Sequence, residues 1–277
     1  MKTIKTILIL CVALCFASSC KKDVDMTLMQ KTVLENADIR QIEVGDAWTV
    51  TVVADTLSFV ELEYSAYLEP YLKAKMEGTQ LAIGFTGIVY PAINSVFRAT
   101  VHTTQLEKLE ADDAATVRCV GEFSGQRLSI GLGDASKCSG LVFSGVDCEI
   151  KMEDASLLTS LRFIGSTCKA NLEDASQFNG EIQVTDLLDI DLDDASRFVN
   201  KGGETANSNI KLQDASMLNM IETPVGEMYV ELSSGSEATI HVNNLLTGTV
   251  KEASTIYYKG LPQVDVDCSE DSQLIPF

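Results

Sequence analysis

Carboxylates are the residues of this 277-residue chain whose type and spacing could do chemistry. It carries 40 Asp and Glu against 21 Lys and Arg, a formal net charge of −19. Six of the acids stand in register: Asp113, then Asp134, Asp154, Asp174, Asp194 and Asp214. The last five open Asp-Ala-Ser triplets spaced 20 residues apart. A further acid precedes three of them, Glu153, Glu173 and Asp193. Stacked in adjacent strands, such carboxylates would lie about 5 Å apart and repel by on the order of 1 kcal/mol per neighbour at a wet surface. Two arrangements offset that. Asp113, Asp134, Asp154, Asp174, Asp194 and Asp214 can form a structural turn ladder, each accepting backbone N–H bonds of its own turn with the adjacent Ser hydroxyl assisting. Alternatively a hard cation such as Ca²⁺ is held between rungs, since it wants several carboxylate and carbonyl oxygens. The densest place for it is Glu153, Asp154, Glu173, Asp174, Asp193 and Asp194. The calcium-binding nonapeptide pattern of other β-rolls is absent.

Other chemistry finds less material. Glycoside hydrolysis needs two carboxyl groups about 5 to 10 Å apart, but so acidic a chain offers too many pairs to select one. His102 and His241 stand far apart in the repeat and read as surface or turn residues. No G-x-S-x-G, H-E-x-x-H or phosphate-cradling glycine loop occurs, so no catalytic residue is assigned and no enzyme is expected. The acidity excludes nucleic acid, which is held by neutralising Lys and Arg clusters. It also argues against loose adsorption to anionic lipid. Tyr64, Tyr67, Tyr71, Tyr229, Tyr257 and Tyr258 are the aromatic candidates for a glycan or protein ligand. Met217 and Met220 fit either a subunit contact in a homo-oligomer or the core.

The elements that must position these groups follow from the repeat. Weaker copies at Asp113-Ala114-Ala115, Ser234-Gly235-Ser236 and Glu252-Ala253-Ser254 extend it to eight. Two and four residues before each Asp the chain is apolar, and six before it mostly so (Leu128, Cys148, Cys168 and Leu188, but Ser208), as at Leu132, Ile130 and Leu128 or Leu192, Ile190 and Leu188, with polar residues between. Alternation with period two is a half-buried strand. A strand returning every 20 residues, with nothing between copies long enough for a crossover helix, is a β-solenoid. Ser124-Gly125, Ser144-Gly145 and Ile164-Gly165 suggest a second tight turn per coil, in which Gly supplies positive φ. Each coil then holds two short strands.

Residues 33–108 are strand-like without the register and read as an N-terminal β cap or as irregular first coils. Residues 109–260 are the repeat, and residues 261–277 are expected to cover the other end, because an open edge invites polymerisation. Cys119, Cys138, Cys148, Cys168 and Cys268 are too few and odd in number for a disulfide framework. Cys148 and Cys168 share one inward rung and serve there as small apolar residues.

Residues 1–20 carry Lys2 and Lys5, an apolar run from Ile7 to Phe16, and Ala17-Ser18-Ser19-Cys20. That is a secretory signal too short to span a bilayer. Its end resembles the lipobox of bacterial lipoproteins, with Ala17 where Leu is usual. The resemblance implies that Cys20 is lipidated, with palmitate among its acyl chains, and anchors the mature chain to the membrane. A plain secretory signal is the alternative. Residues 21–32 form the tether, and Lys21-Lys22-Asp23 resembles the surface-export signals of some Gram-negative lipoproteins.

The chain as a whole resembles the auto-transporter adhesin head domain family of the GIN type over about residues 38–258. The resemblance rests on Ile39-Arg40-Gln41-Ile42-Glu43-Val44 leading into Trp48-Thr49-Val50-Thr51-Val52, on Thr104-Gln105-Leu106-Glu107-Lys108-Leu109, and on the 20-residue turns. It implies an all-β, right-handed parallel β-helix, related in shape to pectin lyases, and a role in adhesion. Polysaccharide lyases of that shape place Lys or Arg at the site, whereas here Arg162 and Arg197 stand isolated. The expectation is a non-enzymatic lipoprotein of the cell outer membrane, facing outward or into the periplasm, that binds a glycan or protein. A structural envelope scaffold and a lyase-like carbohydrate-active enzyme are the alternatives.

Overall fold

A computed structural model describes residues 24–277. The expected signal 1–20, the lipidation residue Cys20 and the start of the tether lie outside the described residues. Strand β1 (Leu28–Val33) begins inside the stretch 21–32 expected to be tether. Strands β2 (Gln41–Val44) and β3 (Thr49–Ala54) flank a tight turn at Asp46-Ala47. Strand β4 (Phe59–Ser65) and a 3₁₀ turn, Ala66–Tyr71, lead into the hairpin of β5 (Leu72–Glu77) and β6 (Gln80–Phe85), and then β7 (Phe97–Thr103).

The first region is both things the sequence allowed. Strands β6 and β7 pair in parallel with β2 and β3, which pair in parallel on their other side with β8 (Lys108–Ala111) and β9 (Thr116–Val120). Two solenoid coils therefore lie before the repeat. Antiparallel strands cover their outer edge: β4 on β7, β1 on β4 and β5 on β6. Trp48, fully buried, fills this end against the rings of Phe85 and Phe97.

Beyond it the coils stack in parallel register, and the whole is a β-solenoid of about eight turns. Each has three strand rows rather than two. In the early coils they are separate: β10 (Glu122–Ser124), β11 (Arg127–Leu132), β12 (Lys137–Ser139), β13 (Val142–Ser144) and β14 (Asp147–Met152). Later they merge into long bent strands, β15 (Leu157–Leu172) and β16 (Gln177–Leu192). Around β17 (Arg197–Asn200) and β18 (Thr205–Leu212) the rows part, and buried Asn200 accepts from the Ile182 N–H and donates to the Ile182 and Gly202 carbonyls. Strands β19 (Met217–Leu232) and β20 (Glu237–Val250) are continuous again.

The expected second turn is a correction. Gly125, Gly145 and Gly165 are absent from the positive-φ residues, and the chain bends there within a strand or between two. Glycine is needed for space instead. A Cβ on Gly145 would sit 2.5 Å from a Phe143 ring carbon and 2.6 Å from the Gly125 carbonyl oxygen. Positive φ recurs at other corners such as Gly121 and Gly140, and in the Asp-Ala turns, as at Asp154 (53°) and Ala155 (56°). Both central residues are left-handed, the type I′ geometry that suits Asp.

The interior is mainly apolar, with the turn serines, Asn200 and Ser208 buried in it. Leu128, Cys148, Cys168, Leu188 and Met228 share a rung column, as do Leu132, Met152, Leu172, Leu192, Leu212 and Leu232, all buried. Each such side chain contributes about 1.5–3 kcal/mol by burial. Cys148 and Cys168 are direct neighbours in the ladder with free thiols; Cys138 pairs instead with Val117, and its buried thiol lies beside that of buried Cys119. The adjacent thiol and burial push Cys119 and Cys148 upward in pKa.

The C-terminal stretch does not cover the end. Strands β21 (Thr255–Lys259), β22 (Gln263–Cys268) and β23 (Gln273–Pro276) continue the stack, β22 on β20 and β23 on β21. Among the described residues no strand pairs with the far edge of β22 or β23, and Val264 on that rung is 40% exposed.

Candidate binding face

The turn ladder is built from backbone, not carboxylate. The Ala135 N–H donates to the Asp154 carbonyl, Ala155 to Asp174, Ala175 to Asp194 and Ala195 to Asp214, each at 2.8 Å. Asp46-Ala47 is an earlier rung, its Ala47 N–H donating to Asp113. Among the described residues no N–H of these turns donates to the carboxylates of Asp113, Asp134, Asp154, Asp174 or Asp214, which are exposed. The serine expected to assist them points inward: Ser136, Ser156, Ser176, Ser196 and Ser216 are buried. Ser136 Oγ donates to the Ala111 carbonyl, whereas Ser196 and Ser216 Oγ have no partner.

The six-residue cation cluster is not assembled as expected. Among the described residues one acidic trio comes together, Asp193, Asp194 and Asp214, with oxygens within 4.8 Å. Glu153, Asp154, Glu173 and Asp174 are not part of it. Asp193 is the residue that gathers the trio, because its shorter side chain is fixed by the Asp194 N–H at 2.9 Å. Burial and the charges of Asp194 and Asp214 hold the Asp193 carboxyl above the usual range. Asp112 is likewise raised by burial and by Asp134 and Glu110, beside a depression of about 150 Å³.

The histidines are better fixed than the sequence suggested. His102 stacks on Phe59 at 4.0 Å, and its Nδ1 is 2.8 Å from Asp55 Oδ2. His241 is half-buried, and burial with nearby Lys259 lowers its pKa. Neither contacts a nucleophile in the hydrogen bonds of the described residues. Of the tyrosines, Tyr64 is buried, Tyr67 is bonded to Ser95, and Tyr71 and Tyr229 are exposed. Tyr90, which no strand pattern singled out, is 88% exposed. Met220 is core and Met217 exposed.

The outward face of the row containing β11 and β14 is the most organised polar surface. One column runs Glu149, Lys169, Asp189, Asn209, Tyr229, Thr247, and the next runs Lys151, Asn171, Asp191, Lys211, Glu231, Thr249. Ion pairs cross the rungs: Lys169 to Asp189 at 3.8 Å and Lys211 to Asp191 at 3.5 Å. Arg127 and Lys151 converge on Glu149 and lower its pKa. Such exposed pairs add about 0–1 kcal/mol each; what they do is hold side chains in place. Between Lys169, Asp189, Asn209, Lys211 and Tyr229 lies a shallow depression of about 250 Å³. Tyr229 walls it, with its hydroxyl donating to Glu231 at 2.6 Å, a bond that raises the phenol pKa. A larger groove of about 630 Å³ lies between the corners at Thr104–Lys108 and Ser124–Arg127, lined by Gln41, Gln105 and Gln126. Neither histidine lines either one, and Asp112 and Asp193 lie outside both.

A parallel β-solenoid with an apolar core and an ordered polar strand face defines the class of fold. The chain belongs to the family described as "Putative auto-transporter adhesin, head GIN domain", which matches residues 38–262. Two crystal structures share its fold. One is a "putative adhesin" from Parabacteroides merdae (15% identity, 92% of this chain and 98% of that one, TM-score 0.62). The other is a "putative lipid binding protein" from Parabacteroides distasonis (12% identity, 92% and 98%, TM-score 0.63). Among curated proteins no sequence matches the chain.

Proposed function

We propose that this protein is a non-enzymatic binding module, anchored through a lipid on Cys20 in a Gram-negative outer membrane, that adheres to a glycan through its outward strand face. The observation that carries the reading is the Tyr229 depression. An exposed aromatic wall beside an amide, three carboxylates and two ammonium groups is the chemistry that grips a sugar ring by one apolar face and its hydroxyls. Support for a non-enzymatic role comes from the separation of the raised carboxyls and the histidines from both grooves. Among the described residues no helix is long and apolar enough to cross a membrane, so a lipid would supply the attachment.

The test is an array of glycans and matrix proteins probed with the processed full chain in detergent, with calcium and with chelator. Selective glycan binding is expected. Its loss in chelator would assign a cation to Asp193, Asp194 and Asp214. A blank array in both conditions would overturn the reading in favour of a self-associating envelope scaffold, the alternative that the open edge of β22 and β23 favours.

A further inference from the structure

We infer that the N-terminal end of the solenoid is its membrane-facing end, with the loop of residues 86–96 seated in the lipid interface beside the anchor. The inference rests on the reading that Cys20 is lipidated.

The loop joins β6 to β7 and raises Ile88, Tyr90 and Ile93 to 85%, 88% and 89% exposure. Three such residues on one short loop are the densest display of bare apolar surface in the described chain; at the opposite end Leu261, Val264 and Phe277 are exposed at 96%, 40% and 65% but are spread along the last coil. Exposed apolar patches mark surfaces that meet something. The loop is shaped rather than loose. The Thr86 N–H donates to the Tyr71 carbonyl at 2.7 Å, the Ala92 N–H to the Tyr67 hydroxyl at 2.7 Å, and the Ser65 N–H to the Val96 carbonyl at 2.9 Å. All three bonds tie it to the 3₁₀ turn Ala66–Tyr71 or the residue before it.

The chain enters at the same place. The Ala66 N–H donates to the Thr27 carbonyl and the Tyr67 N–H to the Asp25 carbonyl. Between Cys20 and Val24 stand three residues, Lys21, Lys22 and Asp23. Four Cα steps span at most about 15 Å, so a lipid on Cys20 holds the 3₁₀ turn and its loop at the bilayer surface. What the tether brings there is suited to it. Tyrosine belongs at the boundary between headgroup and acyl chain, where its ring is apolar and its hydroxyl wet, and the isoleucines can enter the acyl region beyond it. Tyr71 and Leu28, 45% and 51% exposed, extend the apolar patch toward the anchor. The acidic turns lie further along the stack. About eight turns at about 4.8 Å would carry the last coil roughly 40 Å from this end.

The test uses the processed full chain in vesicles of phosphatidylethanolamine and phosphatidylglycerol that contain nitroxide-labelled lipid. A fluorophore is placed on Ile93→Cys, with Leu261→Cys as the distal reference, both in a Cys268→Ser background that removes the exposed native thiol, Cys119, Cys138, Cys148 and Cys168 being buried. Mass spectrometry of the N-terminal peptide reports acylation in the same samples. Loss of fluorescence at position 93 with none at 261 is the expected result. An acylated chain with position 93 unquenched, or with both positions quenched alike, overturns the membrane seat and leaves the anchor standing. An unacylated N-terminus overturns the anchor reading and the seat with it.

Discussion

At the scale of residues, the turn repeat separates what a position looks capable of from what it does. The Asp-Ala-Ser triplet suggests a carboxylate capping its own turn with help from a hydroxyl. In the structure the backbone makes the ladder, the carboxylate faces water, and the serine lies in the core. That inversion predicts opposite outcomes for two identical substitutions. Ser136→Ala removes a bond to the Ala111 carbonyl and should cost about 1 kcal/mol. Ser216→Ala removes a hydroxyl without a partner and should leave stability unchanged or raise it by about 1 kcal/mol. The fully buried Ala115 already occupies the same turn position two coils from Ser156, so the smaller residue fits. Denaturant midpoints of the two variants check this, and equal losses would contradict it.

At the scale of elements, the register was legible because stacked coils demand the same inward residue at the same offset, and Leu132 through Leu232 show it without a break. The rung at Asp46-Ala47 carries the same dipeptide, yet an insertion from β4 to β7 separates it from Asp113, so no constant spacing exposes it. The last coil was expected to be a cover because an open edge invites polymerisation, whereas β22 and β23 add one more parallel rung to the stack. The corner glycines were misread because a glycine needed for clearance and one needed for positive φ are the same letter. Clearance predicts the cost of filling it. Gly145→Ala forces Phe143 or the Gly125 carbonyl to move and should destabilise by about 1–3 kcal/mol. Gly235→Ala, with open space around its Cβ but φ of +73°, should cost about 1 kcal/mol, comparable to the other alanines of the ladder. Thermal unfolding of both variants measures the difference. A Gly145→Ala protein as stable as the wild type would remove the steric account of the corners.

At the scale of the whole molecule, function follows from which face is free. The core is closed, one end is covered by antiparallel strands beside the apolar loop, and the long polar face is held in order by ion pairs between rungs. Of the six tyrosines that the sequence nominated, burial and bonding leave Tyr229 as the one that walls a depression on that face, a distinction that no period-two pattern carries. The account stands or falls with that side chain. The measurement that tests it most directly is glycan affinity of wild type and Tyr229→Ala side by side. The account predicts that removing the ring weakens binding about tenfold, equivalent to about 1.4 kcal/mol, as for an aromatic anchor, with Tyr229→Phe keeping most of it. Equal affinity in wild type and Tyr229→Ala, or no glycan binding by either, would contradict it.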